Sequence, residues 1–194
     1  MNRIEVKQIL NKKKQRDDWF LDDYTLNPYS ACSFNCLFCY IRGSKYGSNM
    51  ERKVSVKSNA PALLEKALRN LSKKGKYGYI MLASATDPYL HFEAEENMTR
   101  RLLEIIAHYR FPIHLLTRSS LVTRDFDLLH EIDKNAILPE TLQESPGRGV
   151  LLSFSFSGIS DEIATIFEPG ATAPTARLKT LKASSDAGFL LGLV

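Results

Sequence analysis

From Tyr24 to Val194 the chain alternates between short apolar runs and stretches of helical period, and this alternation restricts the possible folds more than any other feature. Tyr24 to Tyr29 reads as a short strand. Pro61 suits a first helical turn, and Leu63, Leu64, Ala67, Leu68 and Leu71 then share one face until Gly75 stops the helix. The period changes at Tyr77 to Ala83, an uncharged run expected of a strand buried on both faces. A helix from about Glu95 to Tyr109, a strand from Ile113 to Thr117 and a helix from about Thr123 to Ile132 follow. Beyond a Pro- and Gly-containing loop come a strand from Val150 to Phe156 and a short helix capped by Ser160. A helix from about Pro174 to Ala187 and a final run, Phe189 to Val194, complete the pattern. The order βαβαβαβαβ builds a parallel sheet covered by helices. Both a (β/α) barrel, open or closed, and a doubly wound sheet satisfy it.

Residues 1–23 read as a polar N-terminal extension, a poorly packed lead-in anchored by Ile4, Val6, Ile9 and Leu10, ahead of a core domain over 24–194. The net charge of +4 is mild and concentrates in Lys12-Lys13-Lys14-Gln15-Arg16 and Lys73-Lys74-Gly75-Lys76, runs that suit solvated ends or nucleic-acid phosphates. No apolar run reaches the roughly 20 residues that span a bilayer, and the first residues lack the apolar core of a signal peptide. The expected compartment is the cytoplasm.

All three cysteines, Cys32, Cys36 and Cys39, fall within eight residues in the spacing C-x3-C-x2-C. An odd number of crowded thiols does not form a disulfide framework, and a reducing environment suits them. Iron-sulfur clusters are held by cysteine thiolates in such loops, and a cluster with three protein ligands keeps one iron open. The competing reading is zinc, which wants a fourth Cys or His. His91, His108, His114 and His130 lie more than fifty residues downstream of Cys39 and share no ligand spacing with it. Gly43 and Gly47 leave the backbone after the loop free to wrap an inorganic centre. In a parallel barrel the chemistry sits at the C-terminal strand ends, here the cysteine loop, Ser84 to Tyr89, Thr117 to Ser120 and Ser153 to Ser157.

At the cysteine loop, with Phe38 just before the third cysteine, the sequence resembles the radical S-adenosylmethionine (SAM) superfamily. The resemblance implies a partial (β/α) barrel of parallel strands, a 4Fe-4S cluster on Cys32, Cys36 and Cys39, and SAM on the open iron. It also implies reductive cleavage of SAM to a 5'-deoxyadenosyl radical, with electrons from a reduced flavodoxin or ferredoxin-type donor. Tyr40 matches the position whose backbone contacts adenine.

More narrowly, the sequence is similar to the spore photoproduct lyase-like subfamily through Asn27-Pro28-Tyr29, Ser84 to Tyr89 with Glu95, Leu116 to Ser119 with Arg124-Asp125, and Glu168-Pro169 with Arg177-Leu178. Carried over by position, Thr86, Arg118 and Ser155 line the SAM site; Arg118 replaces the lysine common there. Asp87 and Glu95 match the pattern and also suit helix-entry roles. Ser84 stands where the lyases carry a hydrogen-donating cysteine, and a hydroxyl O–H is too strong a bond to replace that thiol. The apolar ending, Phe189 to Val194, suggests a barrel truncated after its fifth strand, with an exposed edge. A second class of function stays open, a non-enzymatic zinc- or cluster-binding module contacting nucleic acid through the basic segments.

Overall fold

The computed structural model describes residues 2–44, 54–82 and 84–194, so Gly47 and Ala83 lie outside the described residues. The first strands are β1 (Asn2–Ile4), β2 (Leu10–Lys12), β3 (Asp22–Leu26), β4 (Tyr29–Ser30) and β5 (Ser55–Lys57). Helix α1 (Ala60–Ser72), strand β6 (Tyr79–Leu82) and helices α2 (Glu93–Glu96) and α3 (Met98–Tyr109) come next. Then follow β7 (Ile113–Thr117), α4 (Phe126–Asn135), β8 (Val150–Phe154), α5 (Asp161–Phe167), α6 (Pro174–Asp186) and β9 (Leu190–Leu193). Local chemistry explains the boundaries. Prolines open α1 and α6, the Ser160 hydroxyl accepts from the Ile163 N–H at the start of α5, and Gly75 past α1 has a positive φ of 62°.

The main sheet runs β2-β3-β6-β7-β8-β9, with β2 antiparallel to β3 and every other pairing parallel. Its strands separate two environments by their period of two. Ile80, Leu82, Ile113, Leu115, Val150, Leu152 and Phe154 are fully buried on the helix side, against Leu64, Leu68, Leu102, Ile106 and Leu129. Each such side chain contributes about 1.5–3 kcal/mol by leaving water. Thr25, Met81, Leu116 and Ser155, on or just past the alternate positions, line a cavity instead. That cavity also touches Lys13, just past β2, and Val194, just past β9, so the two sheet edges curl around one space. Among the described residues β2 and β9 do not pair, and the barrel is open.

Two expectations change. The N-terminal stretch is not a poorly packed lead-in: β2 extends the main sheet, β1 pairs with β5, and Ile9 and Leu10 join the core at 2% and 7% exposure. Strands of three residues are too short to show a period, which hid them. The helix expected from Glu95 is two helices, broken where Asn97 adopts a left-handed φ of 51°. Strand β9 lies at the sheet edge, bonded to β8 alone, with Leu193 63% exposed.

Candidate active site

The cysteine loop follows β4 and is shaped by local backbone geometry. Ala31 and Asn35 take left-handed conformations (φ 64° and 52°), turning the chain twice within five residues. Arg42, a residue that sequence reasoning passed over, clasps the loop from below: its Nε donates to the Cys36 carbonyl (2.8 Å) and its Nη2 to the Asn35 carbonyl (3.0 Å). On the other side the Gly170 N–H donates to the Phe34 carbonyl (3.0 Å), and a Cβ at Gly170 would sit 2.4 Å from the Ser33 carbonyl oxygen. A larger residue at 170 would push the loop out of place.

Cys32, Cys36 and Cys39 all line the cavity between the sheet edges, whose volume is about 770 Å³. Thr86, Arg118, Ser155, Tyr40 and Phe38 line it too, so the positions singled out in the sequence, tens of residues apart, meet around one space. Burial, reinforced by the nearby Asp87 carboxylate, pushes the Cys32 thiol up to about 12. Burial also raises Cys36, against the opposing pull of the Arg118 guanidinium. Such thiols stay protonated until a metal displaces the proton. Three soft sulfur donors facing one space of this size suit an iron-sulfur cluster. Among the described residues no group of three or more His, Cys, Asp or Glu side chains closes on a single metal ion. His91 packs edge-on against Phe34, His108 against Tyr109, and His130 stacks on Phe189.

The remaining expected residues have specific partners. Thr86 donates its hydroxyl to the Ala31 carbonyl (2.9 Å), and Tyr40, whose ring is exposed, donates to the Ser84 carbonyl. Ser84 accepts from the Asn27 amide (2.8 Å), and the other end of Asn27 takes the Ala85 N–H (2.9 Å), which ties the strand end at Asn27 to the 84–86 turn. Asp87 is buried and accepts from the Thr117 hydroxyl (2.9 Å), the Arg118 N–H (2.7 Å) and the Tyr89 N–H (2.8 Å). Burial outweighs those bonds and raises its carboxyl to about 6. Arg118 lies over the Phe38 ring at 5.1 Å and bonds Glu168 (2.5 Å). At the far end of the sheet's inner face, His114 is buried. Its Nδ1–H donates to the Phe20 carbonyl (2.9 Å), so its Nε2 accepts from the Ser153 hydroxyl (2.7 Å).

Of the two acids matched in the sequence, Asp87 lines the cavity and Glu95 stands in the first turn of α2, as its helix-entry reading expects. Glu95 is exposed and away from the site, whereas Glu93, fully buried, accepts from Arg124 (2.9 Å) and from the N–H groups of Met98 and Thr99. The break at Asn97 turns Glu93 inward, and no local pattern announces which of three nearby glutamates that is.

The profile of the Radical SAM superfamily matches residues 26–192. The uncharacterized protein ORF301 of Acidianus two-tailed virus is 27% identical over 181 residues, covering 89% of this chain and 55% of that protein. The uncharacterized protein Rv2578c of Mycobacterium tuberculosis is 29% identical over 172 residues, covering 86% and 46%. The chain thus spans about half the length of the curated relatives it matches. Among solved structures, spore photoproduct lyase complexed with dinucleoside spore photoproduct is similar at a TM-score of 0.63 and 18% identity, over 97% of this chain and 48% of that one. The cobalamin-dependent S-adenosylmethionine radical enzyme OxsB with aqua-cobalamin bound is similar at 0.53 and 12%, over 87% and 23%. At such identities the likeness is one of fold, an α/β fold with a mostly parallel sheet. No helix among the described residues is long and apolar enough to cross a membrane.

Proposed function

Because this chain belongs to the radical SAM superfamily, we propose that Cys32, Cys36 and Cys39 hold a 4Fe-4S cluster and that the adjoining cavity binds SAM. The observation that carries this reading is the meeting of the three thiols with Thr86, Arg118 and Ser155 on the wall of one cavity. When bound, the cluster and SAM supply a 5'-deoxyadenosyl radical by reductive cleavage, with the electron taken from a flavodoxin or ferredoxin-type donor. The chain's own residues hold and orient. Arg118 presents a guanidinium to the ligand carboxylate, and the Ser155 and Thr86 hydroxyls offer hydrogen bonds to its amine and ribose. The Tyr40 backbone meets the adenine, and Phe38 backs the guanidinium. The inner face of the sheet, floored by Met81, Leu116 and Thr25, shelters the radical from water.

The substrate differs in handling from that of the lyases. Within residues 1–194 every thiol belongs to the cysteine loop, and Ser84, whose Oγ accepts from the Asn27 amide, offers only an O–H. Hydrogen return by a thiol of this stretch is therefore outside the proposed reaction. Cluster chemistry of this kind suits a reducing cytoplasm.

Anaerobic reconstitution with iron and sulfide, dithionite reduction and low-temperature EPR with and without SAM test the reading. The expected outcome is about four irons with matching sulfide per chain, a reduced-cluster signal that changes when SAM is added, and loss of both in Cys36→Ala. About one zinc per chain instead, or a cluster signal indifferent to SAM, would overturn it.

A further inference from the structure

Behind Arg118 lies a charge arrangement that the proposed SAM site does not by itself require. Glu168, 2% exposed, follows α5 and divides its carboxylate between two guanidiniums. Its Oε2 accepts from Arg118 Nη1 (2.5 Å), and its Oε1 from Arg177 Nη2 (2.6 Å) and the Ser157 hydroxyl (2.7 Å). Arg177, on α6, is wholly buried, lies over the Phe156 ring at 5.0 Å and donates its Nη1 to the Ser155 carbonyl. Of the three charged side chains, Arg118 alone lines the cavity of the cysteine loop.

The count of charges decides what Arg118 can offer. A lone Arg118–Glu168 pair would be neutral, and a ligand carboxylate would have to compete with Glu168 for the guanidinium. With Arg177 present, two cations share one anion, and the excess positive charge falls on the member that reaches the cavity. Asp87, which lines the same cavity and feels the guanidinium charge, spends its hydrogen bonds on the Thr117 hydroxyl and the Arg118 and Tyr89 N–H groups, so the carboxylate that holds the Arg118 side chain is that of Glu168. Glu168 therefore orients Arg118 while Arg177 answers for the charge of Glu168.

We propose that Arg177 is a positioning residue that, by neutralising Glu168, leaves the Arg118 guanidinium free to meet a ligand carboxylate. This rests on the reading that Arg118 meets the carboxylate of SAM. A role confined to stability would change folding without changing which ligands are told apart, and that difference is measurable.

The probes are SAM and its decarboxylated analogue, titrated calorimetrically under anaerobic conditions into the reconstituted protein. Wild-type protein prefers SAM. In Arg177→Met, with wild-type iron content, the preference falls about tenfold while affinity for the decarboxylated analogue holds within about threefold. The double variant Arg177→Met/Glu168→Gln, which returns a single net cation to the site, recovers most of the preference. An unchanged preference in Arg177→Met, or equal losses in the single and double variants, would overturn the proposal. If Arg177→Met alone does not fold, the double variant is compared with Glu168→Gln: the two should discriminate alike within about threefold, and a further tenfold loss overturns the proposal. Wild-type protein that binds both probes equally would instead overturn the reading of Arg118 itself.

Discussion

Two arginine–carboxylate clusters flank the cysteine loop, and they differ in where their charges end. In one, Glu93 and Asp125, both fully buried, are matched by Arg124 and Arg100: Arg124 bonds both carboxylates and Arg100 bonds Asp125 (2.9 Å). Arg100 also bonds Asp127 (2.6 Å), so two guanidiniums meet three carboxylates, and the cluster joins α2, α3 and α4 away from the cavity of the cysteine loop. In the other, Arg118 and Arg177 share Glu168, and one guanidinium reaches the cavity. The same side-chain chemistry ties helices together where carboxylates outnumber guanidiniums, and leaves a guanidinium facing the cavity where two guanidiniums share one carboxylate.

Breaking the first cluster has the largest expected effect. Glu93→Ala takes away one of the two carboxylates of Arg124 and removes the acceptor for the Tyr29 hydroxyl and the Met98 and Thr99 N–H groups, so urea unfolding should show a loss of about 3–5 kcal/mol. A loss below about 1 kcal/mol would mean that the cluster is not a strut.

Proton titration sharpens the contrast between buried carboxylates. In cluster-free protein Asp87 has a folded value of about 6 against 3.8 for the free group. Its contribution is therefore complete below about pH 4 and lost as pH rises through 6, a fall of about 3 kcal/mol. Burial raises Glu168 too, but its bonds to Arg177 and Ser157 win and lower it, so its contribution is lost in the opposite direction, as pH falls. Asp87→Asn should flatten the first slope in pH-dependent unfolding, whereas Glu168→Gln should leave that slope intact and flatten the acid limb.

At the open cluster, Arg118→Ala should weaken SAM binding by roughly 10–100-fold, or about 1.4–2.8 kcal/mol, because a charge-assisted contact is lost. Its stability should fall by less than that of Glu93→Ala, since Arg177 still pairs Glu168. Calorimetry and urea unfolding on the same preparation separate the two effects. Smallest is Arg3, whose pair with Glu96 (2.8 Å) ties β1 to α2 at a half-exposed surface. Arg3→Ala should cost at most about 1 kcal/mol, less in high salt.

The sequence by itself determined the features that reside in residue identity and short spacing. The cysteine spacing names a soft-donor loop before any fold is known, and the alternation of periods announced five parallel strands with helices between them. Pro61, Ser160 and Gly75 marked helix ends because capping is chemistry within one turn. Thr86, Arg118 and Ser155 were singled out through their places at strand ends and the family resemblance, and they line the cavity of the cysteine loop.

Only the tertiary structure decided the rest, because it depends on contacts between segments far apart in the chain. Three-residue strands at Asn2–Ile4 and Leu10–Lys12 exist because a partner strand lies beside them, not because their own pattern demands it. The choice of Glu93 over Glu95 follows from one left-handed residue at Asn97. Glu168 and Arg177 stood out in the sequence only as marks of the family resemblance; that α6 brings Arg177 to Glu168, and Glu168 to Arg118 across fifty residues of chain, is a property of the fold. Local sequence specifies which groups can carry charge or bind a metal; the fold determines which of them are neutralised and which face the cavity.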